Sequence, residues 1–290
     1  MKYINWGIIS SDDAEQKNIE ELFNSVNGSK VVVCDNEDNA LSIINSNKIN
    51  AIYINTKPEL HATYAIMAMN AGIPVFLNYP LANTYDDCIR INYTADKTKI
   101  PCFVSYYLRY LPYYKTIKNI LNDEIIGDIL QVNFCFYSTA EHQLFLNYAS
   151  QQLDILQYLF GIITEATGFS SQQSNSYDYD RKTINACLMF EKGISGSSSW
   201  CFGVPECEEK DIVEVIGSKG SLRFSTFSHK HIQINQNGNL KDYNDKEIQT
   251  PQLPIIKAVV EDLQGFNVCK CTSVSATPVN WVLDRILRHV

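Results

Sequence analysis

The sequence predicts a two-domain α/β protein: a doubly wound parallel sheet comes first, and a second domain built on a large, mostly antiparallel sheet follows. Three observations carry this. At 290 residues the chain is about twice the commonest domain size. Its first hundred residues alternate short apolar runs with helix-periodic segments. After Pro112 that alternation stops and strand-like runs cluster together.

Residues 3–9 read as a buried strand and 12–24 as an amphipathic helix, with Asp12 or Asp13 placed to cap it. A β-branched run at 30–34 is the second strand, and 39–46 a short helix. The third strand is 51–55, followed by a helix over 59–71 that Gly72 closes. The fourth strand is 74–77, the next helix 85–97, and the fifth strand 102–106. Strands and helices alternating through short connections imply right-handed crossovers and a parallel sheet. Residues 1–112 are therefore assigned to a Rossmann-like domain.

Residues 113–290 form the second, α+β domain. It opens with a helix at 113–121 and a long strand at 129–137, then a helix at 153–160 ended by Gly161. Alternating patterns place strands at 164–169, 183–190, 194–202, 211–217, 221–224 and 231–235. Helices at 253–263 and 276–288 finish the chain. Strands clustered in this way pair antiparallel or as a mixed sheet with helices on one face. Residues 170–180 read as a polar loop.

Composition excludes some functions. A net charge of −8 and no long Lys/Arg block argue against nucleic-acid or anionic-membrane binding, which need a basic face. No apolar run approaches the roughly 18 residues that span a bilayer, and the N-terminal run lacks the features of a signal peptide. Nine cysteines without a disulfide rhythm fit free thiols in a reducing cytoplasm. Neither Cys269 and Cys271 nor Cys201 and Cys207 have metal-ligand spacing, so no metal is expected. His229 and His231 alternate on the last strand and are expected on the surface.

Four segments carry a resemblance. Trp6-Gly7-Ile8-Ile9 is an opening strand of the kind that leads into a phosphate loop. Thr56-Lys57-Pro58-Glu59-Leu60-His61 is similar to Thr-Pro-Pro-x-x-His. Asn78-Tyr79-Pro80 stands where Glu-Lys-Pro is expected. Asn147, Gln151 and Asp154 fall on the spacing Asp-x-x-x-His-x-x-Asp. With further matches at 106–112, 196–202, 214–220 and 279–284, the chain resembles the glucose–fructose oxidoreductase / inositol dehydrogenase (Gfo/Idh/MocA) family over almost its whole length. The resemblance implies an NAD(P)-binding first domain, a sugar- or polyol-type substrate cleft, and pairing of copies through the second domain's sheet.

Carried over residue by residue, it implies a cofactor edge at Gly7, Ser10, Ser11, Asp12, Asp35, Thr56, Pro58, His61 and Asn78. It implies proton-transfer positions at Tyr79, Gln151 and Asn147, with Lys57 beside the nicotinamide position and Arg109 along the substrate cleft. The residues depart from the pattern where the chemistry sits. No glycine lies between Gly7 and Gly28, and Asp12 and Asp13 occupy the loop where a pyrophosphate would approach. Lysine has become Tyr79 and histidine Gln151; an amide has no accessible proton equilibrium, and a phenol near pKa 10 is a weak base. Asp35 reads equally as a ribose-binding acid or a turn residue, Lys57 as a solvated loop residue, His61 as a helix-start residue bonded to backbone, and Arg109 as one half of an ion pair. The stretch 31–51 is short for the family, as is the nine-residue stretch 138–146, which bears on the substrate pocket.

Two readings follow. One is a family member without dehydrogenase activity, a sensor, regulator or partner subunit that binds a small metabolite or a related subunit. The other is an NAD(P)-dependent oxidoreductase in which Tyr79 or Lys57 takes a rearranged proton-transfer role. A homo-oligomer or a heteromer fits either.

Overall fold

The computed structural model describes residues 3–11, 13–140, 145–172, 181–229, 231–244 and 248–288. It comprises two compact units, Met1–Tyr107 with Thr250–Trp281, and Leu108–Gln249 with Val282–Val290.

The first unit begins β1 (Ile4–Ser10), α1 (Asp13–Asn24), β2 (Ser29–Asp35), a 3-10 turn (Glu37–Asn39) and α2 (Ala40–Ile44). It continues β3 (Ala51–Asn55), α3 (Pro58–Asn70), β4 (Val75–Leu77), α4 (Tyr85–Thr98) and β5 (Cys102–Val104). All five strands are parallel, in the order β2-β1-β3-β4-β5. The chain leaves β1 for one side of the sheet and returns on the other with β3, so the topological switch point lies between β1 and β3. Residues 39–46 form less helix than their pattern predicts: Asn36 accepts from the Asp38 amide and turns the chain through the 3-10 segment first. β2 is the edge strand, in keeping with the short stretch 31–51.

Local chemistry sets the helix ends. Pro58 opens α3 at a position where its missing N–H costs nothing, and Gly72, at φ +79°, ends the turn that follows. Thr84 caps α4 by accepting from the Asp87 amide. Between α1 and the sheet, Phe23 packs edge-on to Trp6 at 5.0 Å and meets Tyr53 at 5.0 Å, and Tyr53 meets Phe76 at 5.1 Å. Such pairs contribute about 0.5–1.5 kcal/mol each beyond their buried area. The buried Trp6 indole N–H is satisfied by Ser29 Oγ at 3.0 Å.

The second unit contains α5 (Pro112–Asn122), β6 (Ile129–Ser138), α6 (Phe145–Phe160), β7 (Ile163–Gln172), β8 (Arg181–Phe190) and β9 (Ser195–Phe202). β10 (Lys210–Gly217), β11 (Gly220–Phe224), β12 (His231–Gln236) and β13 (Asn239–Asn244) follow. The eight strands run β13-β12-β11-β10-β6-β9-β8-β7; β6 and β9 pair in parallel and the other neighbours antiparallel. Inward residues Val132, Phe134, Trp200, Val213 and Val215 are buried. Trp200 meets Phe145 of α6 edge-on at 5.3 Å.

Four expectations change here. α6 starts at Phe145, eight residues before the predicted helix, because its first turns bury Ser150, Gln151 and Gln152 rather than an apolar stripe. Strand β13 is an addition, paired with β12 through backbone despite a polar sequence. Residues 170–172 belong to β7, and the rest of the expected loop, 173–180, lies outside the described residues. His229 precedes β12 at φ +49° and packs edge-on against Tyr113 and Tyr114 (5.6 and 5.9 Å); burial lowers its pKa, while His231 is the exposed one.

The compact units also divide the chain differently from the sequence boundary at 112/113. α7 (Leu253–Leu263) and the first part of α8 (Ser273–Arg288) belong to the first unit. The reason is hydrogen bonding at the edge of β5: the Val104 amide donates to Cys271 O at 2.9 Å, and Phe103 bridges Thr272 antiparallel. The Asn280 side chain donates to Ala82 O at 2.6 Å, and the Asn92 side chain to Thr277 Oγ1 at 2.7 Å.

Candidate functional site

In open α/β sheets, ligands sit outside the carboxyl ends of the strands, at the switch point. Here four polar residues stand side by side at those ends: Ser10 on β1, Asn55 on β3, and Asn78 and Ser105 just after β4 and β5. They form one chain of hydrogen bonds. The Tyr53 phenol bonds the Ser105 hydroxyl, which donates to Asn78 Oδ1 at 2.8 Å. Asn78 Nδ2 donates to Asn55 Oδ1 at 2.7 Å. Asn55 Nδ2 donates to Ser10 Oγ and to Glu15 Oε2, each at 3.2 Å. The donors run one way, toward a carboxylate on the first turn of α1, and such aligned bonds polarise one another. Burial, reinforced by the charge of Glu15, pushes the Tyr53 phenol far above its ordinary pKa, so it is a donor at any physiological pH.

Glu15 was not among the residues expected here, although spacing alone points to it. The dinucleotide fingerprint G-x-G-x-x-G, begun at Ser10, puts its third glycine at Glu15. That glycine lets the helix close onto the strand. Glu15 instead spans the switch point to Asn55, and a cavity of about 330 Å³ lies between α1, the ends of β3 and β4, Ser105 and α7. Tyr79 lines it; its ring stacks on Tyr106 with centroids 6.1 Å apart, and the Tyr79–Pro80 peptide is cis.

The other expected edge residues are placed as follows. Gly7 lies inside β1, where an added Cβ would come within 2.7 Å of Ile43 Cγ2 and 3.0 Å of Ile49 Cδ1, so its missing side chain admits the α2 segment. Ser11 donates its hydroxyl to Glu37 Oε2 at 2.8 Å and its amide to Asn55 O at 3.0 Å. Asp35 accepts from the Asn36 amide and from Asn39 Nδ2 in the turn after β2. Asp12 lies outside the described residues, as does the side chain of Asp13. The Thr56 hydroxyl donates to Lys57 O, Lys57 is exposed at the start of α3, and Pro58 follows it. His61 is fully buried, with Nδ1 2.9 Å from Pro80 O and Nε2 3.0 Å from Thr56 O. Burial lowers its pKa against the pull of those carbonyls. It fastens the β3–α3 turn to the segment after β4.

In the second unit, Asn147, Gln151 and Asp154 lie on successive turns of α6. Asp154 is buried and forms a two-pronged ion pair with Arg109, whose Nε stands 2.8 Å from Oδ2 and whose Nη2 contacts Oδ1. Burial pushes the Asp154 carboxyl up, and the guanidinium pulls it back. Gln152 accepts from the Trp200 indole at 2.6 Å and donates to Thr226 Oγ1 at 3.3 Å. Gln151 is buried, and its Oε1 has no hydrogen-bond partner. Residues 141–144 of the shortened lead-in lie outside the described residues. Among the described residues, no group of three or more His, Cys, Asp or Glu is placed to hold a metal, and no helix is long and apolar enough to cross a membrane.

Known families match both units. Residues 6–106 match the oxidoreductase family with an NAD-binding Rossmann fold, and 114–223 match the GFO/IDH/MocA C-terminal domain. The chain belongs to the Gfo/Idh/MocA oxidoreductase family. Among relatives of this family, Oxidoreductase P35 of Formosa agariphila is 26% identical, with 97% of each chain covered. A levoglucosan dehydrogenase solved with NADH and levoglucosan superposes with a TM-score of 0.84 at 16% identity, over 99% of this chain and 97% of that one. Biliverdin reductase of Synechocystis, solved with biliverdin and NADP+, gives 0.84 at 19% identity, over 99% and 98%. At these identities the structural likeness establishes the fold.

Proposed function

We propose that this Gfo/Idh/MocA-family protein is a ligand-binding, regulatory or partner subunit that has given up dehydrogenase chemistry. The observation that carries the reading is the bridged switch point. Asn55, bonded at once to Ser10 and Glu15, ties the strand ends to α1 where a glycine cradle would admit a pyrophosphate, and Glu15 adds a negative charge there. These residues do not fit a dinucleotide held in the manner of the fingerprint. Loss of the proton-transfer pair points the same way, because Gln151 cannot titrate and Tyr79 offers a phenol where the family pattern has an amine. The far face of the eight-stranded sheet, with half-buried Asn133, Ser197 and Ser199, is the surface for a second copy or a related subunit.

The alternative is an NAD(P)-dependent oxidoreductase acting on a sugar, polyol or similar metabolite. What favours it is Tyr79 on the wall of the cavity, where a phenol can donate a proton, together with the end-to-end match to Oxidoreductase P35. Calorimetric titration with NADH and NADPH, with thermal unfolding in parallel, separates the two. The expected result is no heat and no stabilisation at about 1 mM cofactor. A dissociation constant near 10 μM would instead stabilise the protein by about 2.7 kcal/mol at that concentration and would sink the proposal.

A further inference from the structure

We propose that the cavity beneath α1 takes a small organic cation, a primary ammonium on a short apolar or aromatic body. This names the ligand class for the ligand-binding role above and rests on that reading. At about 330 Å³ the cavity falls at the small end of the range for small-molecule sites. Among the described residues that line it, Glu15 alone carries a charge. The donors of the hydrogen-bond chain are turned on one another: Ser105 on Asn78, Asn78 on Asn55, and Asn55 on Ser10 and Glu15. Asn18, Tyr79 and Gln252 on the same walls can donate or accept, so the feature that selects among ligands is the Glu15 carboxylate, which a cationic donor complements. Behind the carboxylate the walls are aromatic and aliphatic, with Phe23, Tyr53 and Phe76 in mutual contact. An ammonium at Glu15 with its body against these rings gains a charge-assisted hydrogen bond, cation–π attraction and apolar burial together. A phosphate or carboxylate meets repulsion in the same place.

The test is calorimetric titration of the full chain with benzylamine, benzyl alcohol and benzoate, which share one body and differ in charge. Benzylamine is expected to saturate below about 1 mM, about tenfold tighter than the alcohol, with benzoate silent. Glu15→Gln should remove that preference, and Ile19→Trp, which fills the cavity and keeps the charge, should abolish binding of both. Equal binding of amine and alcohol overturns the proposal, as does a preference that survives Glu15→Gln, or no binding at all. If Glu15→Gln fails to fold, the probe series and Ile19→Trp decide. NADH titrated into the same sample keeps the two ideas apart: benzylamine without effect and no NADH binding defeats only the ligand class, whereas NADH binding defeats the reading it rests on.

Discussion

Arg109 and Asp154 make the sharpest quantitative test of how the second unit is held together. The side chains are 13% and 1% exposed, and the guanidinium grips both carboxylate oxygens. An exposed pair would contribute about 0–1 kcal/mol. A buried pair behaves differently, because removing one partner strands the other charge out of water at a cost of about 3–5 kcal/mol. Asp154→Asn keeps the shape and removes only the charge, so the loss should fall in that range. For a unit of this size, that is a fall in melting temperature of about 6–20 °C. The double variant Arg109→Met, Asp154→Leu should recover to within about 1 kcal/mol of the native protein, since nothing charged is then left buried. Urea unfolding followed by tryptophan fluorescence, to which Trp200 in the same unit contributes, reads the native protein and both variants. A loss below about 1 kcal/mol for Asp154→Asn would refute the reasoning and return Arg109 to the role of a cleft residue.

Three further outcomes are expected. Gly7→Ala pushes a Cβ to 2.7 Å from Ile43 Cγ2, so denaturation should register a loss of about 1–3 kcal/mol; an unchanged midpoint would mean α2 does not press on β1. Gln152→Met leaves the buried Trp200 indole N–H without its acceptor and should cost about 1–3 kcal/mol, with a shift in Trp200 fluorescence as the site-specific readout. His61 has a depressed pKa when folded, so below pH about 6.5 the unfolded chain takes up a proton that the folded chain does not. Stability should therefore fall on acidification by up to about 1.4 kcal/mol per pH unit, until the folded pKa is reached. His61→Gln should flatten that slope, and an identical slope in the variant would assign it to other groups.

The parallel sheet was legible because its inner strands are short apolar runs, with β3, β4 and β5 buried along their length, and Ala51–Asn55 matches its predicted bounds residue for residue. α6 was half hidden for a physical reason. Its first turns bury Gln152 by way of Trp200 and Thr226, 48 and 74 residues away, and no local pattern announces partners so distant. β13 escaped because Asn-Leu-Lys-Asp-Tyr-Asn carries no alternation, and its pairing is backbone to β12 at the sheet's edge. The return of 250–281 to the first unit was invisible because the apolar residues of α7 say that it is buried without saying against what. At the site, the absent glycines and the acids Asp12 and Asp13 are plain in the sequence. The residue that reaches across the switch point is Glu15, which the fingerprint spacing would have singled out.

Two elements converge on the end of β1, α1 and the crossover after β2. From α1, Glu15 reaches Asn55 on one side of the strand end. From the short crossover after β2, Glu37 receives the Ser11 hydroxyl on the other. The same crossover lays Ile43 and Ile49 against Gly7. A phosphate within 4 Å of one such carboxylate is opposed by about 1 kcal/mol in water and about 4 kcal/mol at the effective dielectric of a protein surface, and two acids act in the same sense. Glu15→Gly alone would therefore remove one charge and still leave Glu37 beside the strand end. Neutralising Glu37 as well would still leave Asp12 and Asp13 in the sequence of that loop, so a helix N-terminus free of competing charge takes changes at all four acids.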